Sequence, residues 1–206
     1  TQKSETLIQE TSNTNIDNFE HRYLEKSQKI LFLSERTGWR QLHIFDLKTN
    51  ETKLLTSDNY YVNSIAFIDE DEETIYYLAS GKDAENNPYH QQLYKVNFDG
   101  KETLLTPENK HHQINVSKDG KYFSDNFSTI NSPTKTVLRE LSTGKILAEL
   151  TKADISEAES RGYKTPETFS MLAKDNKTTI YGAFWKPTNS WNYTESNIWL
   201  WAFRLR

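Results

Sequence analysis

The 206 residues carry a net charge of −4, 13% aromatic residues and a hydrophobic share of 35%. With the signs interspersed, this excludes a disordered or fibrous chain and a clustered basic face for nucleic acid, and no apolar run is long enough to span a membrane. Zero cysteines exclude disulfides, thiol catalysis and cysteine zinc sites.

At the start, Glu5–Glu10 (ETLIQE) reads as the closing strand, Thr6–Gln9, of a unit whose beginning is missing. A polar loop, Thr11–Asn18, follows. No signal peptide is evident, and the chain reads as a piece of a longer one. Residues 19–56 form a first complete unit. Arg22–Glu35 is a strand, a charged turn and a second strand. Leu42, Ile44 and Asp46 then alternate with His43, Phe45 and Leu47, the period of a strand. The turn Lys48-Thr49-Asn50-Glu51 leads into Thr52–Thr56.

This pattern returns. Tyr60–Thr106 repeats it, with Ala66–Ser80 as its first half, Gln92–Thr106 as its second and Gly81–His90 as a loop insertion. Residues 111–150 are a third copy, with the hairpin turn Lys118-Asp119-Gly120-Lys121 and an insertion at Ser128–Pro133. Leu42, Leu93 and Val137 recur at roughly the 40–50-residue spacing of a four-stranded propeller blade. The fold class is therefore all-β: a partial β-propeller of about three four-stranded antiparallel blades over residues 1–150. Residues 151–187 add one short helix, Thr151–Gly162, capped by Asp154 or Ser156, and a hairpin. The hairpin is Thr168–Ala173 and Thr178–Trp185 around Lys174–Lys177. Residues 188–206 form an atypical tail containing the apolar run Ile198–Phe203.

Several pieces, in order over about residues 11–188, resemble the dipeptidyl peptidase IV family of prolyl-oligopeptidase-like serine peptidases. Ser34-Glu35-Arg36-Thr37-Gly38-Trp39 with Gln41-Leu42-His43 is similar to the family's Ser-Glu-Arg-Asp-Gly-Trp/Tyr turn and His-Leu-Tyr strand. Asn87-Pro88-Tyr89 with Gln92-Leu93-Tyr94 is similar to its Asn-Pro…His-Leu-Tyr stretch. Ser117–Ser128, Ser132-Pro133 and Val137-Leu138-Arg139 resemble its Ser-Pro-Asp-Gly-Lys-Tyr-Phe blade. Gly162–Glu167 and Tyr181–Pro187 resemble the segment leading into the α/β-hydrolase domain.

The resemblance implies the last blades of an eight-bladed propeller that covers the active site of a C-terminal hydrolase. In such a parent the propeller admits short peptides, paired glutamates in an earlier blade hold the substrate amine, and a Ser-Asp-His triad removes an N-terminal dipeptide, often after proline. The implied partners are the hydrolase domain and the peptide substrate, and the implied parent is exported, periplasmic or at the cell surface. The compartment itself is left open by the sequence. The chain departs from the family in having no Gly-x-Ser-x-Gly elbow, and after Lys186-Pro187 its tail does not follow the family pattern. A truncated gene, a disrupted frame or an expression boundary would each account for that tail. The chain is expected to be a non-catalytic piece of a serine peptidase. The alternative is a stand-alone propeller that binds a peptide or protein.

No catalytic residue, metal ligand or cofactor is assigned, and substrate-binding residues are not carried over. His111-His112 could bind metal but reads as a pair of loop histidines, because neighbours on a strand point to opposite faces. Asp69-Glu70-Asp71-Glu72-Glu73 could hold calcium but falls where the other copies have turns, and reads as a solvated hairpin. Asp17, His21 and Ser34 make a triad only on paper. The glycosylation sequons at Asn50, Asn126, Asn176 and Asn192 read as chance in a chain rich in Asn, Ser and Thr. Trp39, Tyr60, Tyr61, Tyr76, Tyr77 and Trp185 read mostly as packing between blades rather than as a substrate surface. The functional candidates are loops: Arg36 to Trp39, Asn86 to Tyr89 and Thr11 to Asp17. Because three blades cannot close a ring, the chain is expected to self-associate through open edges or to fold its tail back over one.

Overall fold

The computed structural model describes residues 4–11, 16, 20–83 and 86–186, and the backbone of Trp201–Phe203. Three four-stranded antiparallel sheets follow one another, each in sequence order. The first holds β1 (His21–Leu24), β2 (Lys29–Ser34), β3 (Gln41–Asp46) and β4 (Glu51–Leu54). The second holds β5 (Tyr61–Asp69), β6 (Thr74–Ser80), β7 (Gln91–Asn97) and β8 (Glu102–Leu104). The third holds β9 (His111–Val116), β10 (Tyr122–Thr129), β11 (Ser132–Glu140) and β12 (Ile146–Lys152). Leu42, Leu93 and Val137 fall in β3, β7 and β11, the third strand of each sheet, as the repeat predicts.

Stacking of these blades divides the apolar residues into two cores. Leu31, Leu33, Leu42 and Ile44 of the first blade meet Val62, Ile75, Tyr77, Ala79 and Val96 of the second. On the opposite face of the second blade, Tyr76, Leu78 and Leu93 meet Phe123 and Leu141 of the third. The middle blade is thus buried on both sides, which is why β6 reads as an unbroken apolar run instead of alternating. Each fully buried leucine contributes about 1.5–3 kcal/mol.

The recurring Leu-Leu-Thr has a backbone reason. Leu54 and Leu104 point outward, while Leu55 and Leu105 are buried. The next residue turns its hydroxyl back onto the third strand. Thr56 Oγ1 accepts the N–H of Leu42 at 2.9 Å, and Thr106 Oγ1 accepts that of Leu93 at 2.8 Å. Gln41 and Gln92, one residue earlier, tie the link into the next blade by donating to Tyr60 O and Thr106 O, each at 2.8 Å. The third blade lacks this device because β12 carries on, and Thr151 and Lys152 stay paired with Thr136 and Lys135.

That longer β12 also shortens the expected helix. α1 covers only Ser156–Ser160; its N-cap is Ile155, so neither Asp154 nor Ser156 caps it, although Asp154 accepts the N–H of Ser156 at 2.9 Å. The hairpin falls where the sequence puts it, as β13 (Glu167–Leu172) and β14 (Thr179–Phe184). Ser128–Pro133 is a tight β-turn rather than a loop insertion. Thr129 pairs with Ser132, and Pro133 is one of two residues, with Thr134, that the β10–β11 ladder passes over, where it needs no N–H. Residues 4–11 form no strand and pair with none of the described strands. Glu10 instead meets the Ser34 hydroxyl at 2.8 Å and the Arg36 guanidinium. From the tail, β15 (Trp201–Phe203) folds back onto the edge of β14, pairing with Tyr181, Gly182 and Ala183.

Candidate functional site

In a blade of antiparallel strands, the β2–β3, β6–β7 and β10–β11 connections all leave the same end. Two of the three candidate loops lie there. Arg36 to Trp39 is anchored by Ser34, whose hydroxyl accepts from Arg36 N and Nε at 3.2 and 3.0 Å. Arg40 reaches into the second blade, donating to Val62 O at 3.1 Å and Asn63 O at 2.6 Å. Asn86 to Tyr89 lies on the β6–β7 connection, and Gly81 turns the chain into it at φ +76°. Of the third candidate, only Thr11 and Ile16 lie among the described residues.

The β13–β14 hairpin sits on this end of the second and third blades. Tyr181 of β14 packs edge-to-face on Tyr89, with ring centres 5.9 Å apart at 83°. Between them opens a cleft of about 580 Å³. One wall is the β6–β7 loop with Asn86, Asn87, Tyr89 and His90, joined by Asn109. The β10–β11 turn supplies Thr129, Ile130 and Asn131, and the hairpin supplies Thr168–Ser170 and Tyr181–Ala183. The floor is close-packed: a Cβ at Gly182 would stand 2.5 Å from the Phe169 ring. Amides, hydroxyls and aromatic rings line this cleft, and no Asp, Glu, Lys or Arg does so among the described residues.

Two buried polar clusters brace the blades beneath. In the second, Glu102 Oε1 accepts the hydroxyls of Tyr60, at 2.5 Å, and Tyr77. Lys82 closes the group, 2.5 Å from Glu102 Oε2 and over the Tyr60 ring at 4.3 Å. Burial pushes the Tyr60 and Tyr77 hydroxyls far above the ordinary tyrosine range, and that of Tyr94 up to about 12. Tyr60, Tyr76 and Tyr77 are therefore packing residues, as the sequence suggests, whereas Trp39 and Tyr61 are half-buried and Trp185 is exposed.

The third blade holds a cluster that the sequence analysis missed. His111 and His112 lie on β9, not on a loop, and face opposite ways. His112 is fully buried, with Nδ1 2.9 Å from Asp125 Oδ1 and Nε2 3.1 Å from Glu108 O. Arg139 donates to Asp125 Oδ2 at 2.9 Å, to Glu108 Oε1 at 2.8 Å and to Gly144 O at 3.0 Å. The signal was present. Phe123, Asp125 and Phe127 share one face of β10, and Val137 and Arg139 share the matching face of β11, so a charge of each sign stands among apolar neighbours.

The acidic run Asp69–Glu73 is the β5–β6 turn. Asp69 Oδ1 accepts the N–H groups of Asp71 and Glu72, each at 3.1 Å, and Asp71 pairs with Lys26 at 2.6 Å. Among the described residues no three His, Asp or Glu side chains gather as a metal site. Of the paper triad, Asp17 lies outside the described residues. The Ser34 hydroxyl is engaged by Glu10 and Arg36. Asn126 sits within β10, with Oδ1 accepting the Thr136 hydroxyl at 2.6 Å.

The model of the dipeptidyl peptidase IV (DPP IV) N-terminal region family matches residues 1–134. Among solved structures, dipeptidyl peptidase 4 of Porphyromonas gingivalis is similar with a TM-score of 0.67 and 17% identity, over 82% of this chain and 23% of that one. A candidate dipeptidyl aminopeptidase IV from Bacteroides ovatus is similar with a TM-score of 0.63 and 22% identity, over 78% of this chain and 25% of that one. At these identities the likeness establishes the fold, and the chain spans about a quarter of the length of each.

Proposed function

We propose that this chain, which belongs to the dipeptidyl peptidase IV N-terminal region family, is a non-catalytic propeller portion of a serine peptidase that removes N-terminal dipeptides. In this reading residues 1–150 are the last blades, which wall and gate the active-site chamber. Residues 151–187 lead toward the hydrolase domain, and residues 188–206 are a tail of separate origin. The observation that carries the reading is the seat of the β13–β14 hairpin. It lies against the β6–β7 loop through Tyr181 and Tyr89, the end of the blades at which a hydrolase domain continuing from Lys186 would dock. Self-association through blade edges is part of the proposal, and size-exclusion chromatography with light scattering checks it.

Acyl transfer needs an activated nucleophile and donors for the oxyanion. Cysteine is absent, and the Ser34 hydroxyl is bonded to Glu10 and Arg36. The purified chain should therefore neither turn over a chromogenic Xaa-Pro dipeptide substrate nor be labelled by a fluorophosphonate. Turnover blocked by that reagent would overturn the assignment. A second reading, a stand-alone binding propeller, is favoured by the uncharged polar cleft. The reading frame beyond Arg206 discriminates: a Gly-x-Ser-x-Gly followed by Asp and His supports the first, and further blades the second.

A further inference from the structure

The Lys82 ammonium is held as a bound ligand would be. Its Nζ lies 4.3 Å from the centre of the Tyr60 ring and 5.1 Å from that of Tyr94. Among the described residues every other cation over an aromatic ring faces a single one. Two hydrogen bonds complete the site: Nζ donates to Glu102 Oε2 at 2.5 Å and to the Tyr60 hydroxyl oxygen at 3.1 Å. That hydroxyl is free to accept because its own proton goes to Glu102 Oε1. Tyr77 also donates to Oε1 and stacks on Tyr94, with ring centres 5.7 Å apart, so the carboxylate and the second ring are fixed together. The walls come from the link before β5 and from β6, β7 and β8, while Lys82 enters from the β6–β7 connection. Tyr60, Tyr77 and Tyr94 are 1%, 0% and 4% exposed, whereas the Lys82 and Glu102 side chains each keep 21%. The site is therefore walled on the inside and reaches the surface where Lys82 enters.

This geometry selects a ligand class. A carboxylate oxygen and a hydroxyl lone pair call for two N–H donors, and two ring faces call for a compact positive charge. A quaternary ammonium brings the charge without the donors. A hard metal ion takes about six oxygens or more and finds two. A guanidinium spreads its charge over a plane of five donors, of which this site answers two. A primary ammonium on an apolar stem meets both demands. We propose that Tyr60, Tyr94 and Glu102 form a self-occupied site for a primary alkylammonium ion, with Lys82 as its resident ligand. An external ammonium binds only in the place of Lys82, so the chain blocks its own site. This goes beyond the chamber-wall reading and does not depend on it.

The test is Lys82→Ala in the full chain, titrated with n-propylammonium chloride and followed by NMR against sodium chloride at equal ionic strength. The probe replaces the atoms that the substitution removes beyond Cβ. Saturable binding in the millimolar range is expected, with shifts at Tyr60, Tyr94 and Glu102. The wild-type chain should not respond at the concentration that saturates the variant. Tetramethylammonium, which has no N–H, should bind the variant at least about tenfold more weakly. Glu102→Gln in the Lys82→Ala background should weaken n-propylammonium by a similar factor, and circular dichroism verifies the fold of each variant. The proposal fails if folded Lys82→Ala shows no saturation, or if the wild-type chain binds equally well. It also fails if tetramethylammonium matches n-propylammonium, or if Glu102→Gln changes nothing. Should Lys82→Ala not fold, the wild-type chain carries the test. Two ring faces should move the ε-methylene protons of Lys82 upfield, and finding them at their unstructured position would overturn the assignment. No readout depends on peptide hydrolysis, so the result is separate from that of the fluorophosphonate assay.

Discussion

Arg139→Met probes the buried cluster of the third blade most directly. The Arg139 side chain is 3% exposed and that of Asp125 0%, so neither charge has water to fall back on. Removing the guanidinium leaves the Asp125 carboxylate with His112 alone and takes from Glu108 its only ion-pair partner among the described residues. Breaking a buried pair by deleting one member costs about 3–5 kcal/mol, against about 5–15 kcal/mol for the whole stability of a domain. For a chain of this size that corresponds to a fall in Tm of about 6–20 °C. Urea unfolding followed by far-UV circular dichroism at neutral pH gives the number as a shift in midpoint at constant slope. The reasoning is specific to charge, so a second substitution tests it. Asp125→Asn retains an acceptor for His112 but has no charge to strand. In the Arg139→Met background it should restore about 2 kcal/mol or more, a coupling read from the double-mutant cycle. A loss under about 1 kcal/mol for Arg139→Met, or an Asn substitution that adds to the damage, would refute the account.

Gly144→Ala should cost about 2–4 kcal/mol in the same urea assay, because φ is +73° and a Cβ would stand 2.1 Å from the backbone oxygen of Leu105 in the preceding blade. Burial alone would raise the Glu108 pKa, yet the hydrogen bond and charge of Arg139 outweigh it and hold the carboxyl below its usual value of 4.5. A depressed carboxyl stabilises the fold above its unfolded value, so stability should be level above about pH 5.5 and fall as pH drops below 4.5; Glu108→Gln should flatten that part of the profile.

The blades were legible because their signal is local and repeated. Alternation in Leu42–Leu47 fixes which residues face the next sheet, and Leu54-Leu55-Thr56 with Leu104-Leu105-Thr106 marks where each third strand loses its neighbour. Thr6–Gln9 has an equally good pattern and forms no strand, since a strand is a property of a pair. The helix expected over Thr151–Gly162 forms, but only at Ser156–Ser160, for a related reason: Thr151 and Lys152 have a free β11 edge beside them and pair with it instead. The site was legible in part. Asn86 to Tyr89 stands out as an insertion between strands. That Asn109, Asn131 and Tyr181 share its cleft depends on how two blades and a hairpin are stacked, which no local pattern reports.

The two ends of the blades divide the work of the chain. At the β1–β2, β5–β6 and β9–β10 end, each turn uses polar groups of its own, although Ser27 Oγ is buried without a partner among the described residues. Gln28 Nε2 donates to Glu25 O at 2.8 Å, Asp69 caps its own turn, and Ser117 Oγ donates to Asp119 at 2.7 Å and accepts from Tyr122 N at 3.0 Å. Such turns are closed to a ligand except through charge, and salt screens exposed charge. At the opposite end the β2–β3 and β6–β7 connections are longer, the β10–β11 turn is tight, and among the described residues the NH₂ groups of Asn87, Asn109 and Asn131 have no protein partner. The hairpin seats itself on that second end, where Tyr181 meets Tyr89. The aromatic pair fixes the walls of this end, where a hydrolase domain would dock in the first reading and a peptide or protein in the second. That is the common ground of both functional readings, and it locates the effect of substitutions. Changes at the first end should alter stability and salt dependence, whereas changes at Asn109 or Asn131 should alter recognition and leave the urea midpoint in place.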